Sequence, residues 1–343
     1  MKRHTVTIKD IAQRLGISPS TVSRALKDHV EISQDTKDSV KRVAEELNYQ
    51  PNSLALSLRY SKSNTIGVII PEIVHFFFST VISGIEDEAH SRGYNVIITQ
   101  SNESLEREIT NIQTLFNNRV DGVLMSISKE TEMFDHLEAL QKRGLPIVFF
   151  DRNAEEMHCS HVTVDDFLGG YQATEHLIKE GYKKIAHLAG PHGLQISKDR
   201  VSGYRKALED NGIDFNENLI VEDSAFNEQS AFDATMSLFK NHNPDAVFAA
   251  NDVAAMAAIK AAKAFGRSVP YDFGVVGFSN WQFSSLTQPS ISTIEQPGYE
   301  MGQIAADLLI KELESEAAEM LPVEHIILPT KLIARDSSHK SKN

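Results

Sequence analysis

Residues 7–28 read TIKDIAQRLGISPSTVSRALKD, and their spacing decides the first element of the fold. Ile8, Ile11, Ala12 and Leu15 recur three and four apart, one face of a helix. Thr7 stands at its N-cap, and Asp10 three residues on completes a capping-box pattern. Gly16 ends this helix. Ser18 caps a second, with Pro19 at the first helical position, where a missing N–H costs nothing. Val22, Ala25 and Leu26 face a core. Two helices about a tight turn form a helix-turn-helix, whose second helix would enter the DNA major groove by its N-terminal end. The solvent side of that helix carries Ser20, Thr21, Ser23 and Arg24. Hydroxyls suit phosphate or base contacts, and arginine suits guanine O6 and N7. The same pattern also describes a plain three-helix bundle, so spacing alone leaves both readings open.

A third helix is expected after Ser33, with Asp35 in its first turn and Val40, Val43, Ala44 and Leu47 inward. Tyr49-Gln50-Pro51 stops it. Residues 52–64, NSLALSLRYSKSN, differ in character. They read as one short helix, capped by Asn52, and then a polar linker. So short a helix is marginal alone in water.

From Thr65 onward apolar runs alternate with amphipathic stretches. The strands expected are Ile66–Ile70, Tyr94–Thr99, Gly122–Met125, Ile147–Phe150, Ile185–Ala189, Ala246–Ala249 and Gly274–Gly277. Helical segments such as Ser79–Arg92 and Asp252–Phe265 lie between them. Continuously apolar strands alternating with helices imply a doubly wound parallel sheet. Seven strands over this length fit two lobes better than one, with a break near residues 160–165. The tail, residues 337–343, is polar and expected to fray.

The net charge of −13 speaks against nucleic acid until its distribution is considered. Residues 1–60 hold 10 Lys and Arg against 7 Asp and Glu, a net of +3. The remainder holds 24 against 40, a net of −16. A positive head on an acidic body suits docking on DNA by one end. No apolar run approaches the ~20 residues of a membrane span, and the polar N-terminus has no signal-peptide core. Cys159 is the only cysteine, which excludes an internal disulfide and fits the cytoplasm. There is no His-Glu-x-x-His pair, dinucleotide fingerprint, phosphate loop or nucleophile elbow, so no metal, cofactor or enzyme reading has support.

The longer string of motifs resembles the lactose-repressor/galactose-repressor (LacI/GalR) family. After residues 7–28 come TKDSVKRVAEELNYQPNSLALSLR, SNTIGVIIPEI, VDGVLMSIS, PIVFFDR, VTVDD, KKIAHLAG, RVSGYRKAL, DAVFAAND, GVVGFSN, PSISTIEQP and LPTKLIARDSS, in order over nearly the whole chain. The resemblance implies an all-α helix-turn-helix head and an α/β two-lobed sensor like a periplasmic binding protein. It divides the chain into a head (1–51), a hinge helix and linker (52–64), a ligand-binding and dimerisation domain (65–336) and a tail (337–343). The chain would cross between lobes three times, giving lobe 1 as about 65–163 and 295–322 and lobe 2 as about 164–293 and 324–335. The implied function is a transcription regulator, a repressor in most such proteins, controlled by a small molecule. Its partners would be a palindromic operator, a sugar or sugar-acid effector, and a second copy of the chain. The alternative is a solute-binding protein for sugar uptake, which the basic head and the missing signal peptide oppose.

Site residues follow by position. Thr7, Ser18, Ser20, Thr21, Ser23 and Arg24 would face DNA. Lys27-Asp28 stand where the family often has asparagine, which leaves the contacts of that turn open. Asn52, Ala55 and Leu58 fall on the hinge, where Leu58 would wedge into the minor groove; the competing role is burial against the sensor. In the sensor the resemblance marks Asp151, Arg200, Phe226 and Asn251, with His75, Phe76 and Phe77 in the loop after the first strand. Asn251 could equally cap a helix, and Phe226 could equally be core. Ser279 stands where sugar-binding members place an aspartate. Loss of that carboxylate beside Arg200 points to an acidic or otherwise altered sugar.

Overall fold

The computed structural model describes residues 6–49, 62–154, 156–222, 227–315 and 322–340. The chain forms two compact units, residues 1–63 and 64–343.

In the first unit, helices α1 (Ile8–Leu15), α2 (Pro19–Leu26) and α3 (Gln34–Glu46) close around Ile11, Ala12, Val22, Ala25, Val40, Val43 and Ala44. The Asp10 carboxylate accepts from both the backbone N–H and the hydroxyl of Thr7, each at 2.7 Å. Gly16 takes a left-handed conformation at φ 65°, which lets the chain turn between α1 and α2 without a Cβ penalty. The Ser18 hydroxyl accepts from the Thr21 N–H at 3.1 Å and opens α2.

The second unit holds two six-stranded sheets. Lobe 1 carries β1 (Thr65–Ile70), β2 (Asn95–Gln100), β3 (Gly122–Met125), β4 (Ile147–Phe150), β5 (His161–Val164) and β11 (His325–Leu328), in the order β11-β5-β4-β3-β1-β2. Lobe 2 carries β6 (Ile185–Ala189), β7 (Ile220–Glu222), β8 (Ala246–Ala249), β9 (Gly274–Phe278), β10 (Ser292–Glu295) and β12 (Lys331–Ile333), in the order β12-β10-β9-β8-β6-β7. All pairings are parallel except β10–β12. Helices α4 (Phe76–Ser91), α5 (Leu105–Asn117), α6 (Asp135–Gln141) and α11 (Gly298–Glu314) serve the first lobe. Helices α7 (Asp166–Lys179), α8 (Gln195–Asp210), α9 (Glu228–Asn241) and α10 (Asp252–Ala264) serve the second.

The lobes repeat one packing device. In lobe 1, Gly84 of α4 lies so close to α11 that a Cβ there would stand 2.0 Å from the Tyr299 carbonyl oxygen. In lobe 2, Gly203 of α8 meets α7 likewise, with the Phe167 carbonyl at 2.1 Å. Gly302 of α11 and Gly170 of α7 return the contact, facing the Val81 and Arg200 carbonyls, so each helix pair meets backbone to backbone at two glycines and a side chain at either would force the pair apart.

Two expectations need correction. The last crossing between lobes lies at residues 329–330, not near 323, because β11 pairs in register with β5, His325 opposite His161 through Leu328 opposite Val164. The tail does not fray at its start. Ser337 and Ser338 are fully buried, with Ser337 Oγ donating to the Val275 carbonyl at 2.6 Å and Ser338 Oγ meeting His176 Nε2 at 2.7 Å. Their hydroxyls satisfy backbone and side-chain groups at the edge of lobe 2, which polarity alone does not reveal.

Candidate functional site

In the first unit, α2 presents Ser20 in its first turn and Arg24 in its last to solvent, with Thr21 and Ser23 half-buried. The Ser18 hydroxyl sits 2.7 Å from that of Ser20 and 2.9 Å from that of Thr21. Ser18 is therefore first a cap, and Ser20 is its exposed neighbour. The Arg24 guanidinium reaches back to Glu31 at 3.0 Å. Asn52, Ala55 and Leu58 lie outside the described residues.

In the second unit, the cleft forms where the C-terminal ends of the strands in both lobes face each other, the usual place for ligand on open α/β sheets. Lobe 1 contributes His75, which precedes α4, together with Phe77, Phe78, Asp151 and Arg152. Lobe 2 contributes Ile196, Arg200, Ala250, Asn251, Ser279 and Trp281, and Gln296 joins at the crossing. These twelve residues enclose about 60 Å³. That is room for about two waters, and an adjoining groove of about 660 Å³ shares Phe77, Ser279, Trp281 and Gln296 with it. The His75 and Trp281 rings meet edge to face at 5.2 Å across the mouth.

Asp151 follows β4 in the left-handed region at φ 62°. It is buried beside Ser126 Oγ at 3.4 Å. Burial pushes its pKa up, against the pull of Arg152 and Arg200. Arg152 donates to both Glu103 oxygens, at 2.9 and 3.0 Å, and its Nε, 3.9 Å from Asp151 Oδ2, is buried without a hydrogen-bond partner among the described residues. Burial raises the Glu103 carboxyl, but the Arg152 charge and hydrogen bonds outweigh it and hold Glu103 below its usual range. Arg200 donates to Asp166 at 2.7 Å and to the Ala250 carbonyl at 2.8 Å, with its guanidinium 3.7 Å above the Phe278 ring. Burial pushes the Asp166 carboxyl up to about 6 despite that pairing.

Asn251 does two jobs. Its Oδ1 caps α10, accepting from the Ala254 N–H at 2.7 Å, while the residue lines the cleft. Asp252 beside it ties three segments together, accepting from the Trp281 N–H (2.6 Å), Ser284 (2.8 Å) and Thr293 (2.6 Å). Ser279 donates to Gln296 Oε1 at 2.7 Å, and Gln296 Nε2 is buried without a partner among the described residues.

Of the expected sensor residues, His75, Phe77, Asp151, Arg200, Asn251 and Ser279 come together. Phe76 instead lines an adjoining groove, and Phe76 and Phe77 begin α4 rather than lying in a loop. Phe226 lies outside the described residues. Sequence reasoning missed Glu103, Arg152, Asp166, Trp281 and Gln296. A charged pair ending an apolar strand, Asp151-Arg152, was the available signal for one of them; Glu103 carried none. A larger depression of about 800 Å³ lies on lobe 2 around α8 and β7. Its charged groups sit at the surface, whereas the cleft gathers buried polar groups from both lobes, and we place the site there.

Among the described residues no group of three or more His, Cys, Asp or Glu could hold a metal, and no helix is long and apolar enough to cross a membrane.

Residues 7–52 match the family described as bacterial regulatory proteins, lacI family. Residues 63–335 match that of periplasmic binding proteins and the sugar binding domain of LacI family. The chain is 33% identical to a ribose operon repressor of Halalkalibacterium halodurans, covering 98% of both. It is 31% identical to catabolite control protein A of Priestia megaterium, covering 97% of this chain and 99% of that one. Among solved structures, the lac repressor dimer bound to operator and the anti-inducer ONPF superposes with TM-score 0.85 at 26% identity, covering 98% and 99%. The complex of the regulator CelR with cellobiose gives TM-score 0.74 at 29% identity, covering 97% and 99%.

Proposed function

This chain belongs to the lacI family of bacterial regulatory proteins and is a DNA-binding transcription regulator, and from that premise we propose that a neutral sugar held in the cleft controls its operator binding. The observation that carries the ligand class is the charge balance of the cleft. Arg152 faces Glu103 and Arg200 faces Asp166, so neither guanidinium remains as a cation for an anionic ligand. Asp151 adds a carboxylate, not a positive charge. The acidic sugar expected from Ser279 took Arg200 as uncompensated, and its pairing with Asp166 removes that argument. Arg152 Nε and Gln296 Nε2, which make no hydrogen bond among the described residues, remain as donors, and Asp151 as an acceptor, a set suited to hydroxyls.

The chain acts as a homodimer that reads a palindrome, each head taking one half-site. Ile97 and Ile98 on the edge strand β2 are about 40% exposed, 42% and 39%, a surface that a second copy would cover. Asn52, Ala55 and Leu58 would carry the hinge contacts, with Leu58 prying open the central base step. Ligand that moves the lobes would change the spacing of the two hinges and so the fit to the operator. Such a protein works in the cytoplasm, where the DNA is.

A thermal-shift screen of the full chain against neutral sugars and sugar acids tests the ligand class. A ligand at 100 times its Kd stabilises by about 2.7 kcal/mol. Neutral sugars are expected among the hits; a screen in which only sugar acids shift the transition would contradict the reading.

A further inference from the structure

Resting on the DNA-reading role just proposed, we infer that Glu31 is a specificity-determining residue that orients Arg24 for base reading. Arg24 lies in the last turn of α2 with its side chain 57% exposed, and its Nη1 donates to Glu31 Oε2 at 3.0 Å. Glu31 stands in the loop between α2 and α3, and that loop is fixed to the end of α2. The His29 N–H donates to the Arg24 carbonyl at 3.0 Å, and the Glu31 N–H donates to His29 Nδ1 at 3.3 Å. The other acid of the loop, Asp28, is matched from α3 by Lys41 at 3.2 Å and Lys37 at 4.0 Å. The two acids have separate tasks: Asp28 ties the loop to α3, and Glu31 faces the recognition helix.

A guanidinium has five N–H donors in a fixed plane. Glu31 engages Nη1, which leaves the Nε and Nη2 edge, with its two parallel donors, available for guanine O6 and N7. Holding one nitrogen restricts a long side chain before DNA arrives, so less entropy is lost when the edge meets a base. The Glu31 carboxylate also repels phosphates, which weakens binding to DNA of any sequence. The first effect raises discrimination, and the second lowers affinity for every duplex alike. An ion pair this exposed changes a folding equilibrium by no more than about five-fold, so its consequence belongs in base preference and not in stability.

The test uses the full chain as wild type, E31Q, E31D, R24A and the R24A/E31Q double variant. Wild type first selects duplexes from a randomised pool, and R24A identifies the position that Arg24 reads. At that position E31Q is expected to lose about three- to ten-fold of its preference for guanine, a fraction of what one bidentate contact supplies. Random-sequence duplex is bound as well as by wild type or more tightly. E31D recovers part of the preference, and E31Q added to R24A changes it no further. Full guanine preference in E31Q, or an R24A variant that relaxes no position, overturns the inference while leaving DNA reading intact. Failure of wild type to enrich any duplex would instead remove the DNA reading on which it rests.

Discussion

Arg200 Nε donates to Oδ1 of Asp166 at 2.7 Å, Nη2 lies within ion-pair distance of the same oxygen at 2.7 Å, and neither side chain is more than 6% exposed. The pair joins α8 to the start of α7 beneath the cleft, so a residue on the ligand wall also holds its own lobe together. Arg200→Ala would leave a buried carboxylate and the Ala250 carbonyl without a donor. Breaking a buried pair from one side costs roughly 3–5 kcal/mol. Urea unfolding at pH 7 is expected to show a loss of that size. The double replacement Arg200→Met with Asp166→Leu should recover much of it while still failing to respond to ligand. An Arg200→Ala protein as stable as wild type would show that the pair contributes nothing to the lobe.

Arg24→Ala should relax base preference as well as weaken binding. One bidentate base contact discriminates by about 1–3 kcal/mol. Fluorescence anisotropy with selected and random duplexes reads the difference. Equal weakening on both would reduce Arg24 to a phosphate contact.

His187 predicts a pH dependence. Its ring stacks 4.4 Å from Phe248, its Nδ1 donates to the Phe248 carbonyl at 2.9 Å, and Nε2 is buried without a partner among the described residues. Burial lowers its pKa to about 4, from about 6.5 in the unfolded chain. A depressed folded pKa means the contribution is present above pH 6.5 and lost as pH falls towards 4. His187→Gln keeps a donor for the carbonyl but does not titrate. The stability difference between wild type and His187→Gln should therefore shrink in the variant's favour between pH 7 and pH 4.5. Buried carboxylates raised to about 6, Asp166 and Asp252, act with the opposite sign in both proteins and cancel in the difference. Parallel stability curves would rule out a neutral buried His187.

Ile97→Glu should turn the homodimer into monomer at micromolar concentration in sedimentation, with the sensor still folded. A charge on an edge strand blocks pairing with another copy. An unchanged dimer would put the interface elsewhere.

The head was legible almost residue by residue because α1 and α2 are short, local and capped by their own side chains: Thr7 with Asp10, Ser18 with Thr21. Long apolar strands such as Ile66–Ile70 declared themselves for the same reason. The strands missed by periodicity were β5, β7, β10, β11 and β12, three or four residues each, and several carry His, Glu or Lys. Their strand state comes from partners far away in sequence, as when β11 docks on β5. Cleft residues divided likewise. Asp151 and Asn251 stand at strand ends, where position predicts exposure to ligand. Glu103 reaches Arg152 from a loop 49 residues away, and no local pattern foretells that pair. Another long-range pairing, Asp166 with Arg200, compensates the guanidinium that local sequence left as a free cation.

The most direct test of DNA reading by a two-fold dimer is selection from a randomised duplex pool with the full chain, followed by affinity measurement on the enriched sequence. The account predicts a palindromic consensus bound on the order of a thousand-fold or more tightly than random duplex at physiological salt, with one protein dimer per site. A pool that stays random after repeated rounds, or a consensus without two-fold symmetry bound by one chain, would contradict it.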